Sequence, residues 1–163
     1  MKSVDPTETP PELRLLAQLV VKQGVSLGGL PAVQLAWALA FVWAGLPSGT
    51  HNEAGINRAL QAQLAGPAAF IDTDHVELRR WLVDAGWLQR DGYGRAYQRV
   101  APDELRADLR PLARMLVGLE TASWAQRRRA VLAEDRAARR AAPRGPDGRP
   151  RHIRGLERQP PHR

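Results

Sequence analysis

The arginines of the C-terminal region are the residues whose type and spacing most clearly suggest chemistry. Residues 101–163 hold 15 Arg and eight acidic residues, whereas residues 1–100 hold nine basic and nine acidic residues, so the net charge of +7 belongs to the C-terminal region. A guanidinium offers five N–H donors in a plane that matches phosphate oxygens. This region is therefore predicted to bind DNA or RNA. The predicted contacts are Arg128, Arg129, Arg136, Arg139, Arg140, Arg144, Arg149, Arg151 and Arg154.

Five of these arginines fall on one side of a predicted helix. At 100° per residue, Arg128, Arg129, Arg136, Arg139 and Arg140 span an arc of about 120°. Arginines scattered at random would not be expected to line up in this way. Only two of the 24 basic residues are lysine, however, which is typical of high-GC coding sequences. A functional basic surface and a by-product of composition both stay open.

A second group of arginines lies on a predicted β-hairpin around Asp91 and Gly92. Arg90, Arg95 and Arg99 can contact phosphates from there, and alternation places Arg95 and Arg99 on the same strand face as Tyr97. Arginines on an exposed hairpin are also commonly no more than a solvated surface.

The helix predicted over residues 74–85 carries both apolar and charged side chains on its solvent-facing side. Its outward side chains include Val76, Arg79, Arg80 and Val83, together with the acids Glu77 and Asp84. Acids are repelled by the dense charge of a nucleic acid. We therefore predict that Val76, Arg79, Arg80 and Val83 contact protein and do not read a DNA groove.

No group of residues predicts catalysis. His51 and His75 have no Ser or Cys nucleophile in a local arrangement, and the acids of residues 72–77 are explained by capping of a helix N-terminus. We expect no enzyme activity, no metal site and no cofactor. The absence of cysteine excludes disulfides and fits the reducing cytoplasm.

Apolar patterning predicts a mainly α-helical chain with a small β-hairpin. Thr9 and Glu12, and again Thr50 and Glu53, have the spacing of capping boxes that begin helices. The apolar stretch of residues 30–46 is at the lower limit of length for a membrane-spanning helix, and a proline lies at each end of it. It therefore predicts a buried core helix. Leucines spaced 4-3-4-3 over residues 105–119 form a heptad seam, which packs on the core or joins two copies of the chain.

These elements divide the chain into five segments. We expect disorder in residues 1–8, an N-terminal helix and loop in 9–29, and a winged-helix-like domain in 30–100. C-terminal helices follow in 101–142, and a disordered Arg-rich tail in 143–163.

Two stretches, NEAGINRAL and DHVELRRWLVDAGWLQRDGYGRAYQRV, resemble the bacterial domain-of-unknown-function family 2087. The matching positions are Glu53, Ile56, Asn57 and Leu60 in the first stretch, and Asp74, Leu78, Arg79, Arg80, Leu82, Val83, Asp84, Arg90, Tyr97, Arg99 and Val100 in the second. The resemblance implies a winged-helix-like domain over about residues 30–100, sometimes joined to transcription-regulator modules. It implies no reaction and no catalytic residue.

Two functions follow as hypotheses. The first is a nucleic-acid-associated or regulatory module that binds phosphates through its C-terminal arginines. The second is a protein-interaction module, dimeric through the leucine seam, with no nucleic-acid role. No membrane role is expected.

Overall fold

The structure is a computed structural model that describes residues 9–143. Residues 1–8 and 144–163 lie outside the described residues, and so does the disorder predicted for 1–8 and for all of 143–163 except Pro143. The chain forms two compact units, Met1–Ala130 and Val131–Arg163.

The first unit is mainly helical and contains one small β-sheet, as predicted. Its elements are α1 (Arg14–Val20), α2 (Ala32–Gly45), β1 (Thr50–Asn52), α3 (Glu53–Ala65), α4 (His75–Asp84), β2 (Leu88–Arg90), β3 (Ala96–Arg99) and α5 (Arg110–Leu116). A last helix, α6 (Thr121–Ala141), begins in this unit and ends in the second. Short 3-10 helices form at Pro11–Leu13, Leu27–Gly29 and Pro102–Glu104.

The sheet has three antiparallel strands in the order β1-β3-β2. Helix α2, strand β1, helices α3 and α4, and the β2–β3 hairpin follow each other along the chain in the winged-helix order. The mainly α-helical fold with a small antiparallel β-sheet predicted from the sequence is therefore confirmed, and the order of its elements fits a winged-helix-like domain.

Strand β1 was not predicted, because Thr50 looked like a helix cap. Thr50 instead pairs with Gln98 of β3. The cap of α3 is Asn52, whose side chain accepts a hydrogen bond of 2.7 Å from the backbone N–H of Gly55. The polar residues before α3 therefore serve both a strand and a helix start.

Helix α2 forms the centre of the core. Every residue from 38 to 43 is buried, and the Trp43 ring lies 5.4 Å from that of Trp87. This confirms the buried helix predicted from residues 30–46. None of the helices within residues 9–143 combines the length and the apolar character that crossing a membrane requires.

Helix α4 and the hairpin form as their local signals predict. The Asp74 carboxylate accepts a 2.8 Å hydrogen bond from the backbone N–H of Glu77, which caps the helix. Gly86 ends it with φ +87°, a conformation that other residues rarely adopt. At the hairpin tip, the Asp91 carboxylate accepts a 2.8 Å hydrogen bond from the backbone N–H of Arg95, and this bond holds the pKa of Asp91 below its ordinary value.

The predicted heptad seam belongs to the core of the first unit. Leu105, Leu109 and Leu116 are buried in the same cluster as α2, and Leu112 and Leu119 pack against it. The leucines do not share one helix, because α5 begins only at Arg110, with Pro111 in its first turn. The expectation of a dimer through this seam therefore loses its structural basis.

A close approach at the end of α2 gives a stability prediction. The side chain of Gln63 on α3 donates a 2.9 Å hydrogen bond to the backbone carbonyl of Gly45. A Cβ at position 45 would lie 2.5 Å from Nε2 of Gln63. We expect Gly45→Ala to displace Gln63, to break this bond and to lower the free energy of unfolding by about 1–2 kcal/mol.

The control is Gly28→Ala, because a Cβ at Gly28 meets nothing within 4 Å. Chemical denaturation should leave this variant within about 0.5 kcal/mol of the parent chain. Equal stability of the two variants would contradict the proposed contact.

Candidate functional site

The predicted arginine arc on α6 does not form one exposed surface. Arg129 lies partly buried in the first unit. Its Nε donates to the carbonyl of Val20 at 3.1 Å, its Nη1 to that of Gly66 at 3.3 Å, and its Nη2 to that of Pro67 at 2.8 Å. The expectation that Arg129 belongs to a phosphate-binding surface is therefore corrected: its guanidinium holds α6 against the ends of α1 and α3.

The environment of Arg129 fits this structural role. Removal of its guanidinium from water lowers the pKa of Arg129. The carbonyls compensate for that cost, since a buried charge needs hydrogen-bond partners.

The neighbouring Arg128 is also half-buried. Its Nε is shielded from solvent and has no hydrogen-bond partner among the described residues. Arg128 therefore offers less of its guanidinium to a ligand than the helical wheel suggests.

The remaining three arginines of the arc lie in the second unit and are exposed. Arg136, Arg139 and Arg140 are spaced as neighbours on one helix face. Asp135 precedes Arg139 by one turn, but within residues 9–143 none of the three arginines makes a salt bridge. They are free to contact an anion. The predicted contacts Arg144, Arg149, Arg151 and Arg154 lie outside the described residues.

The hairpin arginines differ in the same way. Arg99 is half-buried on the inner side of the sheet, where its Nη1 donates to the carbonyl of Leu46 at 2.9 Å. Its guanidinium lies 4.3 Å from the centre of the Trp43 ring, and burial lowers the pKa of Arg99. The expectation that Arg99 lies on an exposed hairpin surface is therefore wrong, because Arg99 closes the end of α2.

Arg90 and Arg95 do lie at the surface, as predicted. Arg95 is exposed at the hairpin tip, with its guanidinium 6.0 Å from the ring centre of Tyr93. Arg90 pairs across the hairpin with Tyr97, so both side chains lie on the sheet face that carries Leu88. Arg90 and Arg95 make no salt bridge with any other residue of the range 9–143.

The outward face of α4 and the hairpin enclose a groove. The α4–hairpin groove has a volume of about 230 Å³ and is lined by Val76, Arg79, Arg80, Val83, Asp84, Arg90 and Tyr97. All four residues predicted to contact protein line this groove. Arg90, which was predicted to contact phosphates, lines it as well.

Arg79 is the most restrained arginine of the α4–hairpin groove. Its Nη1 donates to the side-chain oxygen of Asn57 at 2.6 Å and to Glu53 at 3.3 Å. Its guanidinium also lies 5.0 Å from the centre of the Tyr97 ring. By contrast, Arg80 and Glu77 are 3.9 Å apart and well exposed, so their attraction is weak.

Sequence reasoning missed Tyr97, Glu53 and Asn57 as parts of this site. The pairing of Arg90 with Tyr97 could have been found from the hairpin register, since a two-stranded ladder fixes which side chains share a face. The contact between α3 and Arg79 carries no signal in the local pattern.

Comparison with known proteins supports the family resemblance over one segment. Residues 34–99 match the model of a family described as "uncharacterized protein conserved in bacteria (DUF2087)". The matched segment runs from α2 to β3 and contains the α4–hairpin groove. Neither the search of curated proteins nor the search of solved structures returned a match.

Proposed function

We propose that the protein is a cytoplasmic, nucleic-acid-associated module. In this proposal the arginine-rich C-terminal region binds phosphate groups of DNA or RNA. The winged-helix-like domain holds a partner or orients the chain, as in a regulatory protein.

The observation that carries the proposal is a separation of charge along the chain. Residues 1–100 are electrically balanced, and the net charge of +7 arises after residue 100. Within the described part of that region, Arg136, Arg139 and Arg140 are exposed and make no salt bridge. Such uncompensated cations release counterions when they meet phosphates, which favours binding to any nucleic-acid sequence.

The face of α4 supports this assignment of roles. Arg79 is already bound to Glu53 and Asn57, and Asp84 lines the same groove. A helix that reads a DNA groove needs free donors on a face without carboxylates. Phosphate binding is therefore assigned to α6 and the residues after it, and not to α4.

The test compares two variants of equal charge. We expect Arg136→Gln, Arg139→Gln and Arg140→Gln together to weaken binding to a labelled DNA duplex about tenfold, and to reduce the salt slope by about 2–3. The control replaces Arg14, Arg58 and Arg114, which are also exposed, by glutamine. Fluorescence anisotropy over a salt series measures both. If the two triple variants lose affinity equally, the effect is one of net charge and the α6 site is wrong.

A further inference from the structure

We propose that the α4–hairpin groove binds a single carboxylate side chain of an acidic protein segment. An apolar side chain next to that carboxylate would pack on Val76 and Val83. This inference concerns a different surface from the proposed nucleic-acid role and does not depend on it.

The lining of the groove is cationic and partly apolar. Three arginines line the groove with one carboxylate, that of Asp84. Glu53 and Glu77, which are not in the lining, pair with Arg79 and Arg80, whereas Arg90 makes no salt bridge within residues 9–143. The cationic donors open to a ligand are therefore those of Arg90, those of Arg80, whose pair with Glu77 is exposed and weak, and those that Glu53 and Asn57 leave free on Arg79. Val76 is 40% exposed and lines the groove together with Val83, so the two valines give the groove an apolar side. A ligand that matches both properties carries a negative group beside an apolar one.

Arg79 supplies donors that are already oriented. Its Nη1 is occupied by Asn57 and Glu53, whereas its Nε and Nη2 have no acceptor in the part of the chain that the structure describes. The side chain is 15% exposed, and the ring of Tyr97 supports it. The guanidinium of Arg79 is already held in place. Binding of a carboxylate therefore costs little free energy for ordering the Arg79 side chain.

The remaining charges favour a carboxylate over a nucleic acid. DNA carries one negative charge per roughly 1.7 Å of helix axis, so its phosphates would approach Asp84 as well as the arginines. A lone carboxylate can lie among Arg79, Arg80 and Arg90 and leave Asp84 in water. The groove volume of about 230 Å³ is also below the roughly 300–1,000 Å³ of small-molecule sites. It suits one or two side chains of a protein segment.

The test uses two short peptides that differ in one charge. Acetyl-Leu-Glu-Leu-amide and acetyl-Leu-Gln-Leu-amide are titrated into the full chain, and NMR follows the methyl groups of Val76 and Val83 and the Nε–H groups of Arg80 and Arg90. We expect the Glu peptide to shift these signals and to bind about tenfold more tightly than the Gln peptide, because charged hydrogen bonds exceed neutral ones.

Two double variants of equal charge locate the site. Arg80→Gln with Arg90→Gln should reduce the preference for the Glu peptide several-fold, and the preference that is left would come from Arg79. Both arginines are exposed, so the fold should be retained. Arg58→Gln with Arg95→Gln is the control, since neither residue lines the groove, and should leave the preference unchanged.

Three results would overturn the inference. They are equal affinity of the two peptides, no shift of the groove signals up to about 10 mM peptide, and groove signals that respond to a short DNA duplex but not to the Glu peptide. The last result would assign the groove to nucleic acid. The binding of DNA by the α6 arginines is measured in a separate experiment with other variants. A negative result for the groove therefore leaves the nucleic-acid proposal untouched, and the reverse also holds.

Discussion

Leu116→Asp is expected to unfold the first unit or to leave it at the edge of stability. Leu116 is 1% exposed and lies on α5 within the same core as α2. The substitution removes an apolar side chain from a packed site and places a carboxylate there without a partner. Together these effects cost at least about 4 kcal/mol, against a total stability of roughly 5–15 kcal/mol for a domain. Circular dichroism during thermal unfolding measures the loss.

Met115→Asp is the matched control, because the preceding residue is 38% exposed on the same helix. It should change stability by no more than about 1 kcal/mol. Light scattering on both variants separates core from interface. A folded Leu116→Asp monomer derived from a dimeric parent would show that the leucines join two chains, which would contradict their place in the core.

Arg129→Met is expected to lower the free energy of unfolding by about 2 kcal/mol. The substitution keeps an unbranched apolar stem but removes the three hydrogen bonds to Val20, Gly66 and Pro67. Hydrogen bonds to a charged group are each worth roughly 1.5–3 kcal/mol, and the desolvation of Arg129 offsets part of their sum. For a chain of this length the loss corresponds to a fall in Tm of about 4–8 °C.

Two further variants separate geometry from charge. Arg127 is exposed and adjacent, so Arg127→Met should change Tm by no more than about 2 °C. Arg129→Lys keeps the charge but cannot reach three carbonyls in a plane, and should also be destabilising. If Arg129→Met is as stable as Arg127→Met, Arg129 does not anchor α6, and its place in the basic surface must be restored.

The parts of the fold that could be predicted are those with local causes. Asp74 caps α4 through the N–H three residues on, and Gly86 ends the helix with a positive φ. Both interactions act within one helical turn of their own residue. Strand β1 was missed because Thr50 meets its partner Gln98 only across a long stretch of chain. A strand of only three residues is too short to show the alternation of apolar and polar side chains from which strands are recognised.

The candidate site was predicted less well, because a helical wheel shows which side a residue is on but not what that side faces. Arg129 and Arg140 share a predicted face, yet the first donates to backbone carbonyls and the second is exposed. Arg99 shows the same limit on a strand. A long side chain that follows apolar surface can end at a buried acceptor, and composition alone does not reveal this.

The leucine seam illustrates a related ambiguity. Spacing of 4-3-4-3 is produced equally by a dimer interface and by packing on the rest of the same chain. Pro111 disfavours one continuous helix through residues 105–119, and α5 begins beside it. Only the burial of Leu105 and Leu116 in the α2 core distinguishes the two cases.

The most direct test of the proposed function is the salt dependence of nucleic-acid binding by the full chain and by a truncation after Ala142. Fluorescence anisotropy with a labelled duplex and a labelled single-stranded RNA gives the binding constant at each salt concentration. The proposal predicts that log K for the full chain falls linearly with log salt concentration, and that the truncation binds more weakly with a shallower slope. Absent binding at low salt, or binding that does not depend on salt, would contradict it.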